Sequence, residues 1–132
     1  MIGLDTNVLV RYLAQDDARQ AAVATRLFEQ VLSDENPGFV SAVTLCEVAW
    51  VLAECYAADR ARIREAIEKV LSTRQISVET PDLVRKALRA WGDSGADFAD
   101  ALIGAVATAH GAEKTVTFDR TAARLPGFEL LQ

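Results

Sequence analysis

The chain has 132 residues, one domain's worth, and its hydrophobic fraction of 51% and charged fraction of 25% are typical of a globular domain. Nineteen acidic against fourteen basic residues give a formal net charge of −5. This charge excludes broad, non-specific binding to nucleic acid or anionic membranes, although one local site could still handle a nucleic acid. No run of about 20 apolar residues is present and the start lacks a basic n-region, so we expect neither a membrane span nor a signal peptide.

Short apolar runs alternate with helical patterns along the chain. Strands are predicted at residues 1–4, 39–41, 75–78, 115–118 and 128–131. Helices are predicted at residues 8–14, 18–32, 43–56, 60–73, 81–91 and 96–111. This alternation favours an α/β fold with a parallel sheet covered by helices on both faces. Because we find no repeat, linker or low-complexity tract in the sequence, we expect a single domain over residues 1–132.

Several residues mark the ends of these helices. Asp16 or Asp17 can cap the second helix, and Asp59 can cap the fourth. Pro81 suits the first turn of the fifth helix, and Gly111 suits the C-terminal stop of the sixth. These signals predict where helices begin and end without reference to the core.

Four side chains are expected to be packing residues rather than chemical groups. Cys46 and Cys55 fall in one predicted helix, about 13 Å apart along its axis, too far to form a disulfide. Two reduced thiols fit a cytoplasmic protein. Trp50 and Trp91 are expected in the core or in a groove rather than as stacking platforms for bases. The single histidine, His110, lies at a helix end and gives no support to a catalytic triad.

The helix predicted at residues 96–111 has two carboxylates in its first turn, Asp97 and Asp100. Residues three apart on a helix are neighbours on one face. Taken alone, acids at this position need do no more than offset the positive end of the helix dipole. The helix is anchored by an apolar stripe formed by Leu102, Ile103, Val106 and Ala107.

Two predicted strands end in an aspartate, Asp5 and Asp119. Either residue alone could be a simple cap or turn residue. In an open parallel sheet, however, ligands bind outside the carboxyl ends of the strands. The connection from the helix at residues 96–111 to the next strand is short, so we expect Asp97 and Asp100 to lie beside Asp119.

Glu47 is a further acidic candidate, because it lies in an apolar run one turn into the helix that follows the second strand. Clustered carboxylates repel each other, and a divalent cation relieves the repulsion. Oxygen ligands without histidine or cysteine favour Mg²⁺ or Mn²⁺ over Zn²⁺. Such a metal supports phosphodiester hydrolysis. Arg11, Arg120 and Arg124 are candidates to hold neighbouring phosphates, with ordinary surface arginines as the alternative.

Four motifs in this order, LDTNVLVRYL, SAVTLCEV, DFADALIGAVA and VTFDR, resemble PIN-domain ribonucleases, in particular the VapC-like toxins of type II toxin–antitoxin pairs. The resemblance covers essentially the whole chain. It implies a three-layer α/β/α sandwich with a central parallel sheet and Mg²⁺-dependent endonuclease activity on RNA. It carries metal-binding and catalytic roles onto Asp5, Glu47, Asp100 and Asp119, with Asp97 as an auxiliary acid that also binds metal.

The same resemblance implies supporting residues and partners. It implies that the site is supported by hydrogen bonds from Thr6, Asn7 and Thr117. The partners are an RNA substrate, a second copy of the chain in a homodimer, and a cognate antitoxin that occupies a groove among the N-terminal helices. The implied location is the cytoplasm.

Two other functions remain as alternatives. A phosphatase with an aspartate nucleophile usually has a second aspartate two residues on, where this chain has Asn7. A non-catalytic receiver-like or adaptor module would bind metal only to regulate a protein contact. A receiver needs an aspartate on a central strand and a nearby lysine. Lys114 precedes the last acidic strand, but the third strand ends without an aspartate.

Overall fold

Every predicted helix and strand is present in the computed structural model, which describes Met1–Gln132. The strands are Ile2–Gly3 (β1), Gly38–Val40 (β2), Ile76–Val78 (β3), Thr115–Thr117 (β4) and Phe128–Leu130 (β5). The α-helices are Thr6–Ala14 (α1), Ala18–Arg26 (α2), Ala42–Tyr56 (α3), Arg60–Ser72 (α4), Pro81–Trp91 (α5) and Phe98–Ala109 (α6). None of these helices combines the length and apolar character needed to cross a membrane.

The chain forms two compact units, and the first comprises Met1–Glu79. Its sheet is parallel, with β2 between β1 and β3. Ile2 lies opposite Gly38, which in turn lies opposite Ile76. The largest fully buried side chains of this unit come from α1, α3, α4 and β2 and from the turn that follows α2. They are Phe28, Leu9, Leu45, Ile67, Val40, Val48 and Val70.

The second unit comprises Thr80–Gln132 and contains α5, α6 and a parallel pair of strands, β4 and β5. Trp91 at the end of α5 meets Phe98 at the start of α6 edge to face, with ring centroids 6.1 Å apart. Gly104 of α6 faces the ring of Phe128, and a Cβ at this position would overlap that ring. The glycine therefore allows β5 to approach the helix closely.

Capping residues set several helix boundaries as the sequence predicts. The Asp59 carboxylate accepts a hydrogen bond from the Arg62 amide at 2.9 Å, and α4 begins between them. Asp17, rather than Asp16, caps α2 by accepting from the Gln20 amide. Helix α5 has the predicted bounds because Pro81 opens it and Gly92 follows its last residue.

Other boundaries and environments differ from the predictions. Helix α6 begins at Phe98, and Asp97 is its N-cap. The prediction that Asp97 lies in the first turn of this helix is therefore wrong. The second helix ends at Arg26 and continues as a π-helical turn, Leu27–Val31, because its last carbonyls are bonded five residues on. A 3₁₀ turn, Ala122–Arg124, precedes β5.

Exposure separates the two tryptophans and the two cysteines. Trp91 is 2% exposed, as expected for a core residue, but Trp50 is 62% exposed because it lies on the outer face of α3. Cys46 is half-buried and Cys55 is exposed. The prediction that Cys55 is a packing residue is therefore wrong. Residue type alone does not fix which face of a helix is covered.

Replacing the Asp59 cap should destabilise the protein by about 1 kcal/mol, because Asp59→Ala leaves the Arg62 amide without its hydrogen bond. The measurement is the free energy of unfolding in urea. Asp59→Asn keeps a capping oxygen and should recover most of the loss. Equal losses in both variants would show that the cap contributes through charge rather than through this hydrogen bond.

Candidate metal centre

Three of the predicted acids are electrostatic neighbours in the second unit. Asp97 precedes α6, Asp100 lies in its first turn, and Asp119 follows β4. The pKa of Asp100 is raised, chiefly by burial and then by the negative charges of Asp97 and Asp119. A backbone hydrogen bond from Asp97 offsets part of this rise. The start of α6 and the end of β4 therefore form an acidic locality.

Local hydrogen bonds hold Asp119 in place. Its amide donates to the Thr117 Oγ1 at 3.0 Å. Its Oδ1 accepts from the amides of Thr121 and Ala122 at 2.8 and 3.2 Å. The carboxylate is thus fixed through one oxygen, and Oδ2 has no protein partner. Thr117 occupies the supporting position that the resemblance implies for it.

Three acids of the second unit have no cationic partner, whereas Asp82 and Glu129 pair with Arg85 and Lys114. Neither Asp97, Asp100 nor Asp119 takes part in an ion pair within this unit, and the Asp97 side chain makes no capping hydrogen bond. No three acidic, histidine or cysteine side chains within either unit are close enough to hold one metal ion together. Mg²⁺ usually binds one or two carboxylates and retains several waters. The oxygen donors present therefore fit that ion without a cage of three side chains.

Asp5 lies at the carboxyl end of β1 in the first unit. It is exposed, and its Oδ1 accepts from the Thr6 amide at 2.7 Å as the N-cap of α1. Thr6 is only 7% exposed, and its Oγ1 has no hydrogen-bond partner. Buried hydroxyls are normally satisfied by protein or by water. The unsatisfied hydroxyl next to Asp5 therefore favours a bound water or polar ligand at the start of α1.

Glu47 lies one turn into α3, on its exposed face. Helix α3 starts at the carboxyl end of β2, where the Ser41 hydroxyl accepts from the Thr44 amide at 3.1 Å. Because β1 and β2 are parallel neighbours, Asp5 and the start of α3 share one edge of the sheet. Glu79 follows β3 at the same edge and accepts from the Ala42 amide at 2.8 Å. The signal that could have found it is its place directly after a predicted strand, as for Asp5.

The three candidate arginines differ in their surroundings. Arg11 is engaged on several sides and its charge is offset by Asp16, with Nη1 3.3 Å from Oδ1. The Tyr56 hydroxyl donates to Asp16, which lowers the pKa of Asp16 and raises that of Tyr56. Arg120 and Arg124 are exposed in the second unit and have no ion-pair partner. Arg120 follows Asp119 directly along the chain, and Arg124 lies five residues after it.

Comparison with known proteins identifies the class to which this chain belongs. The model of the PIN domain family matches residues 2–127, nearly the whole chain, and the chain therefore belongs to the PIN domain family. The resemblance drawn from the four motifs is confirmed. So is the predicted fold class, an α/β/α sandwich built on parallel strands.

Among curated proteins, the chain is similar to one named VapC ribonuclease from Aquifex aeolicus (strain VF5). The two are 26% identical over 126 residues, which cover 96% of this chain and 92% of that protein. The similarity therefore extends over almost the full length of both proteins.

Proposed function

We propose that this chain is a Mg²⁺-dependent endoribonuclease and the toxin of a toxin–antitoxin pair. The observation that carries the proposal is the group formed by Asp97, Asp100 and Asp119, three neighbouring acids with no cationic partner. The chain's membership of the PIN family and its similarity to a protein named VapC ribonuclease support it. Because the family model spans both units, we also propose that they form a single PIN-like domain over residues 1–132.

In this proposal Asp100 and Asp119 would hold the metal in the second unit, Asp5 and Glu47 are the candidate metal ligands of the first unit, and Asp97 is an auxiliary acid. Bound Mg²⁺, or Mn²⁺ in its place, supplies stabilisation of charge on the phosphate oxygens and a lowered pKa for water. Asp119 contributes its Oδ2, because Oδ1 is already engaged by two backbone amides. Asp97 makes no capping hydrogen bond, so its carboxylate is left to orient the water that attacks phosphorus. One P–O ester bond then breaks, and water supplies the new P–O bond and the proton for the leaving oxygen.

The proposed partners are an RNA substrate, a cognate antitoxin and a second copy of the chain, and the proposed location is the cytoplasm. The RNA substrate is supported by the name of the Aquifex relative. The net negative charge of −5 favours recognition of RNA at one site rather than over the whole surface. An antitoxin is the partner that a toxin of this class requires.

Cleavage of a mixed pool of structured RNAs tests the activity. We expect cutting in Mg²⁺, a decrease of about 100-fold or more in EDTA, and recovery when Mg²⁺ or Mn²⁺ is restored, because the carboxylates alone leave the developing phosphate charge unbalanced. The readout is the initial rate of product formation on a gel. Cutting that continues at the same rate in EDTA would contradict the metal-dependent mechanism. Intact RNA in Mg²⁺ would contradict the ribonuclease proposal.

A further inference from the structure

A cavity of about 420 Å³ lies between α1 and α2 in the first unit. Its apolar lining includes Val8, Val23 and Leu27, and its polar lining includes two arginines, Arg11 and Arg19. Sites for small organic groups typically have volumes of ~300–1,000 Å³. This cavity is thus large enough for a single nucleotide-sized group, and it combines an apolar surface with positive charge.

The two arginines of the cavity differ in whether their charge is already paired. Arg11 donates from Nε to the Gln20 side chain at 2.6 Å and from Nη1 to the Tyr56 hydroxyl at 2.9 Å, and it pairs with Asp16. Its position is fixed and its charge is offset. Arg19 is exposed and makes no ion pair. Arg19 is therefore the cation in the cavity that remains available to an anion.

The cavity begins close to the proposed metal site. Asn7, which lines it, is two residues from Asp5 on the first turn of α1. Arg11 is six residues from Asp5, a rise of about 9 Å along the helix axis. A strand of RNA whose phosphate lies near Asp5 would extend a neighbouring nucleotide over this face of α1.

We propose that the cavity between α1 and α2 is a substrate subsite that binds one unpaired nucleotide next to the cleaved bond of RNA. The base packs against Val8 and Val23, and the phosphate pairs with Arg19. The proposal rests on the ribonuclease function and specifies its substrate as single-stranded at this position, because a base must be unstacked to reach an apolar surface. A guanidinium is suited to phosphate by its planar set of donors.

Charge argues for RNA here rather than for an acid-rich protein segment. Arg19 is the available cation of the cavity, and an RNA strand needs a cation at each phosphate that it places against the protein. The apolar lining suits the base of a nucleotide, and the single available cation suits its phosphate. A helix from a partner protein would need a longer apolar stripe than this cavity provides.

The test measures binding separately from cleavage. A fluorescent single-stranded RNA pool is titrated in Mg²⁺ with the full chain carrying Asp100→Asn, and the anisotropy is followed at several salt concentrations. Arg19→Gln in this background should weaken binding about three- to tenfold and reduce the slope of log K against log salt by about 0.7, the value for one lost phosphate contact with a single strand. Arg26→Gln is the matched control, because Arg26 is exposed on the same helix but does not line the cavity.

A second variant tests the apolar half of the subsite. Val23→Asn keeps the charge and changes an exposed side chain, so it should weaken binding about two- to threefold without changing the salt slope. Equal affinities for the Arg19 and Arg26 variants would overturn the subsite and leave the ribonuclease proposal intact. Arg19-dependent binding by a parent chain that cuts no RNA would support the subsite and overturn the ribonuclease. No binding in any variant would overturn both.

Discussion

Asp100→Asn should lower the rate of RNA cleavage about 100-fold or more and should leave the protein at least as stable as the parent. Asp100 is the half-buried member of the acidic locality, and the negative charges of Asp97 and Asp119 both act on its carboxylate. The amide keeps the size of the side chain but loses the charge that would hold a metal. It also removes repulsion from Asp97 and Asp119.

The direction of the Asp100 pKa predicts how stability changes with pH. The pKa in the folded state is raised above the ordinary value of 3.8. An ionised Asp100 therefore disfavours the folded state at neutral pH, and this penalty decreases as the pH falls through the raised pKa. It is absent below the ordinary value, where both states are protonated. The stabilising effect of Asp100→Asn should thus be largest at neutral pH and disappear in acid.

Initial cleavage rates in Mg²⁺ and urea unfolding curves at several pH values provide the two measurements. Asp93→Asn is the matched control, because Asp93 is an exposed aspartate of the same unit and lies outside the acidic locality. Its cleavage rate should stay within about twofold of the parent. If Asp100→Asn cut RNA as fast as the parent, the metal centre assigned here would be wrong.

Phe28→Ala should cost about 3–5 kcal/mol of unfolding free energy, the largest stability effect that we expect from one substitution. The Phe28 side chain is fully buried in the first unit. Its ring stacks on Tyr12 with centroids 3.9 Å apart and an interplanar angle of 12°. The Tyr12 ring also contacts Lys69, whose Nζ lies 5.3 Å from the ring centroid. Truncation therefore leaves a cavity and removes one neighbour of a ring that links α1 to α4.

The matched control is Val31→Ala in the same π-helical turn, because Val31 is 50% exposed and its truncation should change stability by less than about 0.5 kcal/mol. Phe28→Leu should fall between the two. Urea denaturation followed by far-ultraviolet circular dichroism gives all three values. A loss below about 1 kcal/mol for Phe28→Ala would mean that the surrounding helices close over the cavity.

Local chemistry explains why the elements themselves could be predicted from the sequence. Pro81 and Gly92 delimit α5, and Asp59 delimits α4, through interactions between residues only a few positions apart. Such signals act before any tertiary contact is made. The alternation of short apolar strands with helices likewise predicts parallel strand pairing, which the structure contains in a three-stranded and a two-stranded sheet.

The structure differs from the sequence predictions where tertiary packing determines a helix boundary or the exposure of a side chain. Asp97 and Asp100 both suit the start of a helix, and the sequence does not determine that the helix begins after Asp97. The apolar run around Glu47 does not reveal that Trp50 is exposed and Val48 buried, because hydrophobicity without clear periodicity leaves the inner face undefined. The two acids of the first unit could be assigned to the sheet edge by topology, whereas the bond between Glu79 and Ala42 could not.

The separation of the paired strands along the chain bears on how the protein acquires its acidic centre during synthesis. Ile2 pairs with Gly38 and Gly38 with Ile76, whereas Thr115 pairs with Phe128 only 13 residues away. The short loop between β4 and β5 costs less entropy to close, which favours rapid formation of this pair. In the second unit, β5 is the strand partner of β4, which carries Asp119 at its end. A nascent chain in which Phe128–Leu130 has not yet been synthesised lacks this support for Asp119, so the acidic locality is completed only after the whole first unit has been made.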